Sequence, residues 1–342
     1  MFVMLLCFLN IPVHAEEKEE LSIKDLIFEH LGDSYKWHFI TYNEKDVSLY
    51  LPVIVRSESG KWHIFSSSKL ERGASYKGFH IAHEGDHKHK IVEKNNVGTE
   101  IRPIDLSITK NVFAMFVSII IMLACILPLA RWYKDGRRKP AGGFSGVVEV
   151  VILNIQDDVI KPCIGEGYQR YSPFLLTAFF FILINNFMGL IPLFPFGANV
   201  TGNISITFFL SFITFLLINI NGNKHYWKEI FWPEVPTWLK LPVPLMPLME
   251  LWGVLMKPAA LMVRLFANVM AGHSMLLGLT CLIFISASMG VIANAGMSFV
   301  AIIFSVFISF IEILVSLIQA YVFILLSAVF IGTSRVKAEH EA

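Results

Sequence analysis

The chain has 342 residues, of which 55% are hydrophobic and only 16% are charged, and its 28 Lys and Arg nearly balance its 27 Asp and Glu. Ordinary soluble domains contain about 25% charged residues, so this composition excludes a disordered chain and an ordinary soluble enzyme. The near-zero net charge also argues against a nucleic-acid-binding protein, which needs a basic excess to neutralise phosphates.

The chain begins with a short apolar stretch, MFVMLLCFLNIPVHA, at residues 1–15. An apolar stretch that ends in small residues is typical of a secretory signal peptide, and we expect cleavage after Ala15. The basic residues that usually precede such a stretch are missing, so an uncleaved signal anchor is the alternative.

Residues 16–110 are polar and rich in Lys, Glu and His, and we expect them to form a small β-rich exported region. Residues 46–55 and residues 61–65 are predicted strands because β-branched and aromatic side chains dominate them. The turn residues 57–60 separate the two strands.

A histidine-rich stretch at residues 80–89 contains four histidines and two carboxylates. These side chains are good ligands for zinc or copper. Lysines lie among and beside these ligands, and their positive charge disfavours a metal ion. A solvated polar loop is therefore the favoured interpretation, and no cofactor is predicted. The weak candidate ligands are His80, His83, His87 and His89.

Long tracts without charge follow, and they predict an all-α polytopic membrane protein with about five transmembrane helices. A span needs about 20 apolar residues, and the runs lack the alternation of barrel strands. The domain expected from these tracts covers residues 111–335. In chain order the predicted spans are residues 112–130, 173–193, 204–220, 248–286 and 297–331.

Clusters of Lys and Arg predict which ends of the spans face the cytoplasm. Such clusters lie between residues 131 and 139, between residues 224 and 240, and after residue 334. We therefore expect a multi-pass protein of the inner membrane, with the exported region in the periplasm and a cytoplasmic tail at residues 336–342.

Residues 146–164 carry too many charges to span a membrane, and their apolar side chains fall roughly on one face. This pattern predicts one amphipathic helix at the membrane surface. The predicted apolar face consists of Val147, Val148, Val151, Ile155 and Val159.

The last two helices are predicted to form a long, tilted hairpin around a glycine-containing connector at residues 288–296. At about 1.5 Å per residue, each helix is longer than a hydrocarbon core of about 30 Å. Each must therefore tilt or bend.

Polar side chains inside this hairpin are the candidate functional residues, because charges inside a bilayer are costly and mark ion paths. Folding the hairpin about residue 292 places Arg264 level with Gln319, and His273 level with Glu312. An interhelical salt bridge is the purely structural alternative. The whole set is Glu250, Arg264, Asn268, His273, Glu312 and Gln319.

The two levels suit different chemistry. His273 titrates near neutrality and Glu312 can be tuned towards it, so this pair suits proton relay. Arg264 stays protonated and cannot relay protons. Its fixed positive charge could block a proton leak, or it could keep the carboxylate of a partner ionised.

Three stretches of this sequence together resemble one family. Residues 257–273, KPAALMVRLFANVMAGH, closely resemble the signature of subunit a of F-type ATP synthases. Residues 312–323, EILVSLIQAYVF, and residues 185–192, NNFMGLIP, are similar to its other two motifs. The resemblance covers residues 105–335, and residues 16–104 have no counterpart in it.

Two departures from the family pattern concern the signature itself. Ala260 stands where a serine is usual. His273 and Glu312 hold their two side-chain types in exchanged positions relative to many bacterial members, which favours a pair that works together.

The resemblance implies a stator subunit that faces a rotating c ring, with subunit b as the peripheral stalk and an ATPase head attached. The chain itself would have no catalytic site. The resemblance implies that Arg264 separates two half-channels, that Gln319 orients Arg264, and that Glu250 lies near the inner half-channel. The implied outer half-channel consists of His273, Glu312 and Asn268.

A self-contained ion or metal transporter, fed by the histidine-rich stretch, is the alternative function. Such a transporter predicts internal repeats and a binding site at mid-membrane, whereas the sequence shows no repeat and no span carries a cluster of metal ligands. An intramembrane enzyme is a third possibility, but the spans contain no GxSxG, HExxH or paired aspartates.

Overall fold

The computed structural model describes residues 32–42, 45–82, 87, 89–94, 100–134, 139–191, 197–232 and 245–335. The predicted signal peptide, His83 and the predicted tail at 336–342 lie outside these residues.

Short antiparallel strands build the region before the first long helix. They form three small sheets, in the orders β1–β2, β4–β3–β8 and β5–β6–β7. The strands are β1 (Lys36–Tyr42), β2 (Lys45–Tyr50), β3 (Pro52–Arg56), β4 (Trp62–Ser66), β5 (Phe79–Ile81), β6 (Ile91–Lys94), β7 (Glu100–Ile101) and β8 (Ile104–Asp105). The expected β-rich region is therefore present.

The single strand predicted over residues 46–55 is two strands, and that part of the prediction is wrong. The break falls at Leu51, whose N–H donates to Tyr35 O at 3.3 Å and whose carbonyl accepts from Ser67 N at 3.0 Å. Pro52 follows without an N–H to continue a ladder. As a result β2 pairs with β1, while β3 pairs with β4 and β8.

Apolar side chains from the second and third sheets form the core of this region (residues 32–107 as described). We call it the exported module, after the location that the sequence predicts for it. Val53, Val55 and Phe79 are fully buried there. The rings of Phe65 and Phe79 stack with their centroids 6.1 Å apart. Burial of one sheet face in this way is typical of antiparallel sheets.

Helices make up the rest of the described chain. They are α1 (Lys110–Lys134), α2 (Gly143–Asn154), α3 (Lys161–Ile164), α4 (Ser172–Leu190), α5 (Ile204–Ile220), α6 (Lys224–Phe231), α7 (Leu245–Ser286) and α8 (Val291–Thr333). Among the described residues, α1, α4, α7 and α8 are long and apolar enough to cross a membrane, and α5 with α6, which meet at 102°, counts as a fifth if the bent pair is one span. The chain is a multi-pass α-helical membrane protein, as its composition predicts.

The helix predicted at 146–164 exists, and Val148, Ile155 and Val159 of the predicted apolar face are buried, with Val147 as the exception. A π-helical stretch at Ile155–Ile160 joins α2 to α3, and such a stretch changes the helical phase. Val159 and Ile160 are fully buried, whereas Val147 is 61% exposed.

The hairpin connector is shorter than predicted. Only residues 287–290 separate α7 from α8, because α8 already begins at Val291. Gly290 makes the turn with a φ of +104°, which a residue with a side chain adopts rarely. Gly296 lies inside the helix instead of ending it.

The helices α4, α7 and α8 share one hydrophobic core. Leu175 and Ile182 of α4, Leu265 of α7, and Ala320 and Ala328 of α8 are completely buried in it. Small residues on α8 let the helices approach closely, which is how helices associate inside membranes.

Candidate functional site

Polar side chains from α4, α7 and α8 converge on one small cavity inside the membrane domain. Asn268 and His273 come from α7, and Glu312 and Gln319 come from α8, so four of the six candidate residues meet here. The cavity is lined by Asn186, Leu190, Asn268, Val269, His273, Glu312, Val315, Ser316 and Gln319.

Glu312 is the buried carboxyl group of the cavity. It is 9% exposed, and its Oε2 makes no hydrogen bond within the described part of the chain. Gly272 leaves the space that the carboxyl occupies: a Cβ added there would overlap Oε1 and lie 2.8 Å from Cδ. The Oε2 atom therefore has no hydrogen-bond partner that would hold it in place within the described part of the chain.

His273 lies next to that glycine and packs against α4. A Cβ added at Gly189 would lie 3.3 Å from His273 Nε2. The imidazole thus sits between α7 and α4, near the C-terminal end of α4, and at the depth of Glu312 that the hairpin geometry predicts. The imidazole of His273 and the carboxyl of Glu312 thus line the same cavity from the two helices of the hairpin.

Asn268 and Gln319 join the two long helices directly. Asn268 Nδ2 donates to Gln319 Oε1 at 2.8 Å. The expected contact of Gln319 with Arg264 is not made. Helical side chains lean towards the N-terminus of their own helix, so Gln319 reaches Asn268, one turn beyond the level of Arg264.

Arg264 lies one turn before Asn268 on the same face of α7. Its side chain is exposed, and no hydrogen bond or ion pair to a described residue fixes its guanidinium. Val263 beside it is 53% exposed. The guanidinium therefore stands on an open, largely apolar surface next to the cavity.

Glu250 is not part of the cavity. It is exposed near the start of α7, about 27 Å along the helix from Asn268 at 1.5 Å per residue. The structure therefore separates this carboxylate from the four residues of the cavity.

The motif at residues 185–192 contributes two residues whose structural roles the sequence did not reveal. Asn186 donates from Nδ2 to Ser316 O at 3.3 Å and accepts from Thr201 Oγ1 at 2.7 Å. Asn185 donates from Nδ2 to Ser118 Oγ at 3.1 Å. In the sequence, the feature that could have indicated these roles is the pair of adjacent amide side chains within an uncharged span.

The histidine-rich stretch is described only in part. His80 Nε2 lies 3.0 Å from Glu100 Oε1. Among the described residues, which include His87 and His89, no group of three or more His, Cys, Asp or Glu side chains could hold a metal ion.

Comparison with known families assigns the membrane domain. The family model for the ATP synthase A chain matches residues 112–332. The chain belongs to this ATP synthase family. As a member, it is the proton-translocating membrane subunit of an F-type ATP synthase. The match spans all the candidate membrane helices, and it leaves no role for a self-contained transporter.

Relatives over the same part of the chain carry the same name. Subunit a of Chlorobium phaeobacteroides (strain BS1) is 40% identical over 70% of this chain and 69% of its own length. Subunit a 2 of Prosthecochloris aestuarii is 38% identical over 69% and 71%. Subunit a of Myxococcus xanthus is 36% identical over 69% and 76%.

The exported module matches a different family model. A domain of unknown function (DUF8433) covers residues 26–107. The two family matches therefore meet between residues 107 and 112, where the exported module ends and α1 begins.

Proposed function

We propose that the cavity between α4, α7 and α8 is the outer half-channel through which protons reach a rotating c ring. The observation that carries the proposal is the convergence of His273, Glu312 and Asn268, from two different helices, on one small cavity. A proton would pass between the imidazole and the carboxyl, since each group can both accept and donate a proton.

Arg264 would face the carboxylate of the passing c subunit. The guanidinium stays protonated, and an unpaired cation inside a bilayer is costly. A carboxylate of the ring would offset that cost, so the ionised carboxylate would be favoured only beside Arg264. Protons could then not pass directly between half-channels, and proton flow would have to turn the ring.

Gln319 would support the separation of the two half-channels through Asn268, rather than by orienting Arg264 directly. Its hydrogen bond with Asn268 fixes the face of α7 one turn away from the guanidinium. Glu250, at the far end of α7, would lie near the inner half-channel.

We infer the orientation from the positions of the cationic side chains. Arg131 and Lys134 lie at the end of α1, and Arg335 follows α8. These ends would face the cytoplasm of a bacterial inner membrane, along with the tail at 336–342. Residues 16–110 would then be periplasmic after removal of residues 1–15, and residues 111–335 would be the membrane domain.

The partners follow from membership of the synthase complex. The exposed face that carries Arg264 would meet the c ring. Subunit b and the ATPase head would contact the chain at or beyond its cytoplasmic ends.

The test is the Arg264→Ala variant in the assembled synthase. ATP-driven proton pumping into inverted membrane vesicles, followed with a pH-sensitive dye, should fall by about a hundredfold or more, because the charge that separates the half-channels is removed. The control is Arg102→Ala, an exposed arginine of the exported module, which should pump normally. Near-normal pumping by Arg264→Ala would refute the mechanism.

A further inference from the structure

Trp37 of β1 is buried between the exported module and the membrane domain. It is 4% exposed, and its ring meets the ring of Phe113 of α1 edge-on, with centroids 5.8 Å apart and an interplanar angle of 89°. The buried residues that share this cluster with it are Ala114, Met188, Ala198 and Val200.

Hydrogen bonds fix the position of Trp37 relative to α1. Asn111 N donates to Asp33 Oδ1 at 3.1 Å, and Lys110 N donates to Ser34 O at 2.9 Å. Residues 33–37 are therefore attached to the first turn of α1. Trp37 has little freedom to move away from the membrane helices.

The segment 197–201, which contributes Ala198 and Val200 to the cluster of Trp37, also contacts residues that line or adjoin the proposed half-channel. Gly197 N donates to Met188 O at 2.8 Å, and Thr201 donates to Asn186 of the cavity. Ala198 O lies 3.7 Å from the Cβ position of Gly189, and His273 Nε2 lies 3.3 Å from the same point. One turn of chain thus connects Trp37 to the imidazole.

We propose that Trp37 is a positioning residue for proton entry: as the largest side chain of the cluster that it shares with Met188 and Ala198, it holds the segment 197–201 and Gly189 against His273 and Asn186. The exported module would then be part of the translocation machinery and not only an appendage. The inference rests on the proposed function of the cavity. Close-packed interiors transmit small shifts, and displacement of about 1 Å at an active group costs up to about a hundredfold in rate.

The experiment uses the complete synthase in inverted membrane vesicles, where the exported side faces the lumen. ATP synthesis is started by acidifying the lumen, and the initial rate is measured against luminal pH. In Trp37→Ala we expect about a tenfold lower rate per assembled complex. We also expect a displaced pH midpoint, because the surroundings of His273 and Glu312, the titratable groups that line the cavity, change.

Two further variants separate positioning from simple stabilisation. Trp37→Phe keeps an aromatic ring in the cluster and should restore the wild-type midpoint. Trp62→Ala removes a tryptophan that is 51% exposed on the same module and should change nothing. A rate that falls only in proportion to the amount of assembled complex, with an unmoved midpoint, would overturn the proposal.

If Trp37→Ala does not accumulate in membranes, Val200→Ala decides, because Val200 is a fully buried member of the same cluster. An unmoved midpoint in that variant overturns the proposal as well. Arg264→Ala is measured in parallel: if it abolishes coupling while the Trp37 variants keep the wild-type midpoint, the positioning role alone fails. If Arg264→Ala stays coupled, the proposed function itself fails.

Discussion

At the scale of single residues, two glycines shape the proposed half-channel by leaving out a side chain. Gly272 gives the Glu312 carboxyl its place, and Gly189 lets the His273 imidazole lie against α4. Both lie within helices, where glycine costs about 0.5–1 kcal/mol relative to alanine. The close contacts explain why this cost is tolerated here.

Gly272→Ala tests the space around the carboxyl. The new Cβ would overlap Glu312 Oε1, so we expect proton pumping in inverted vesicles to fall by about tenfold while the chain still assembles. Gly278→Ala is the matched control, because a Cβ at Gly278 of the same helix meets nothing within 4 Å. Equal pumping by the two variants would contradict the assigned position of Glu312.

At the scale of secondary structure elements, the end of α8 is fixed to the segment that follows α2. Gly332 approaches the backbone of α3 so closely that a Cβ there would overlap Cys163 O. Asn223 N donates to Ser334 O at 3.0 Å, and Arg335 Nη1 donates to Glu166 O at 3.0 Å. These contacts hold one end of the hairpin, while the polar cavity lies near its middle.

Gly332→Ala should destabilise the membrane domain by about 1–3 kcal/mol, as overpacking of a tight contact does. The measurement is the fraction of detergent-solubilised chain that stays soluble after a series of heating steps. Gly296→Ala, on the same helix with nothing within 4 Å of its Cβ position, should match or exceed the wild-type midpoint. A midpoint for Gly332→Ala equal to that of Gly296→Ala would show that α8 and α3 do not touch at this point.

At the scale of the whole molecule, Tyr35 forms a junction between the first and the last segments of the exported module. The phenol donates a hydrogen bond to Asp105, which lies in β8, five residues before α1 begins. Burial, followed by the bond to Asp105 and its charge, raises the pKa of Tyr35 well above its ordinary value. The neutral phenol is therefore favoured in the folded state.

The raised pKa predicts that the junction weakens in alkali. Its contribution to stability is complete below the ordinary tyrosine pKa of about 10 and is lost as the pH rises above that value. Limited proteolysis of membranes should release the exported module faster above about pH 10. Tyr35→Phe should abolish this pH dependence.

Tyr76→Phe is the control for that experiment. Lys69 Nζ donates to the Tyr76 hydroxyl at 3.1 Å and lowers the pKa of Tyr76. The control variant therefore removes a tyrosine hydroxyl whose pKa is shifted in the opposite direction to that of Tyr35. It should keep the alkaline loss seen in the wild-type chain. An alkaline loss that persists in Tyr35→Phe would exclude Tyr35 as its source.

Local patterns of sequence were sufficient for the class of protein and for the family. Tracts without charge predict spans because each segment that crosses the bilayer must by itself supply enough consecutive apolar residues. The depth of His273 relative to Glu312 also follows from counting residues along two regular helices. The motif around Arg264 predicted the family, which the match over residues 112–332 confirms.

Only the tertiary structure decided which side chains meet. Because side chains lean along their helices, Gln319 makes its hydrogen bond with Asn268 instead of Arg264. The break at Leu51 places β2 and β3 in different sheets. Trp37 and Ala198 belong to one buried cluster although 161 positions of sequence separate them, and no local period encodes such an arrangement. Contacts of this kind depend on how helices rotate and cross when they pack, and that is settled by all the packed surfaces together.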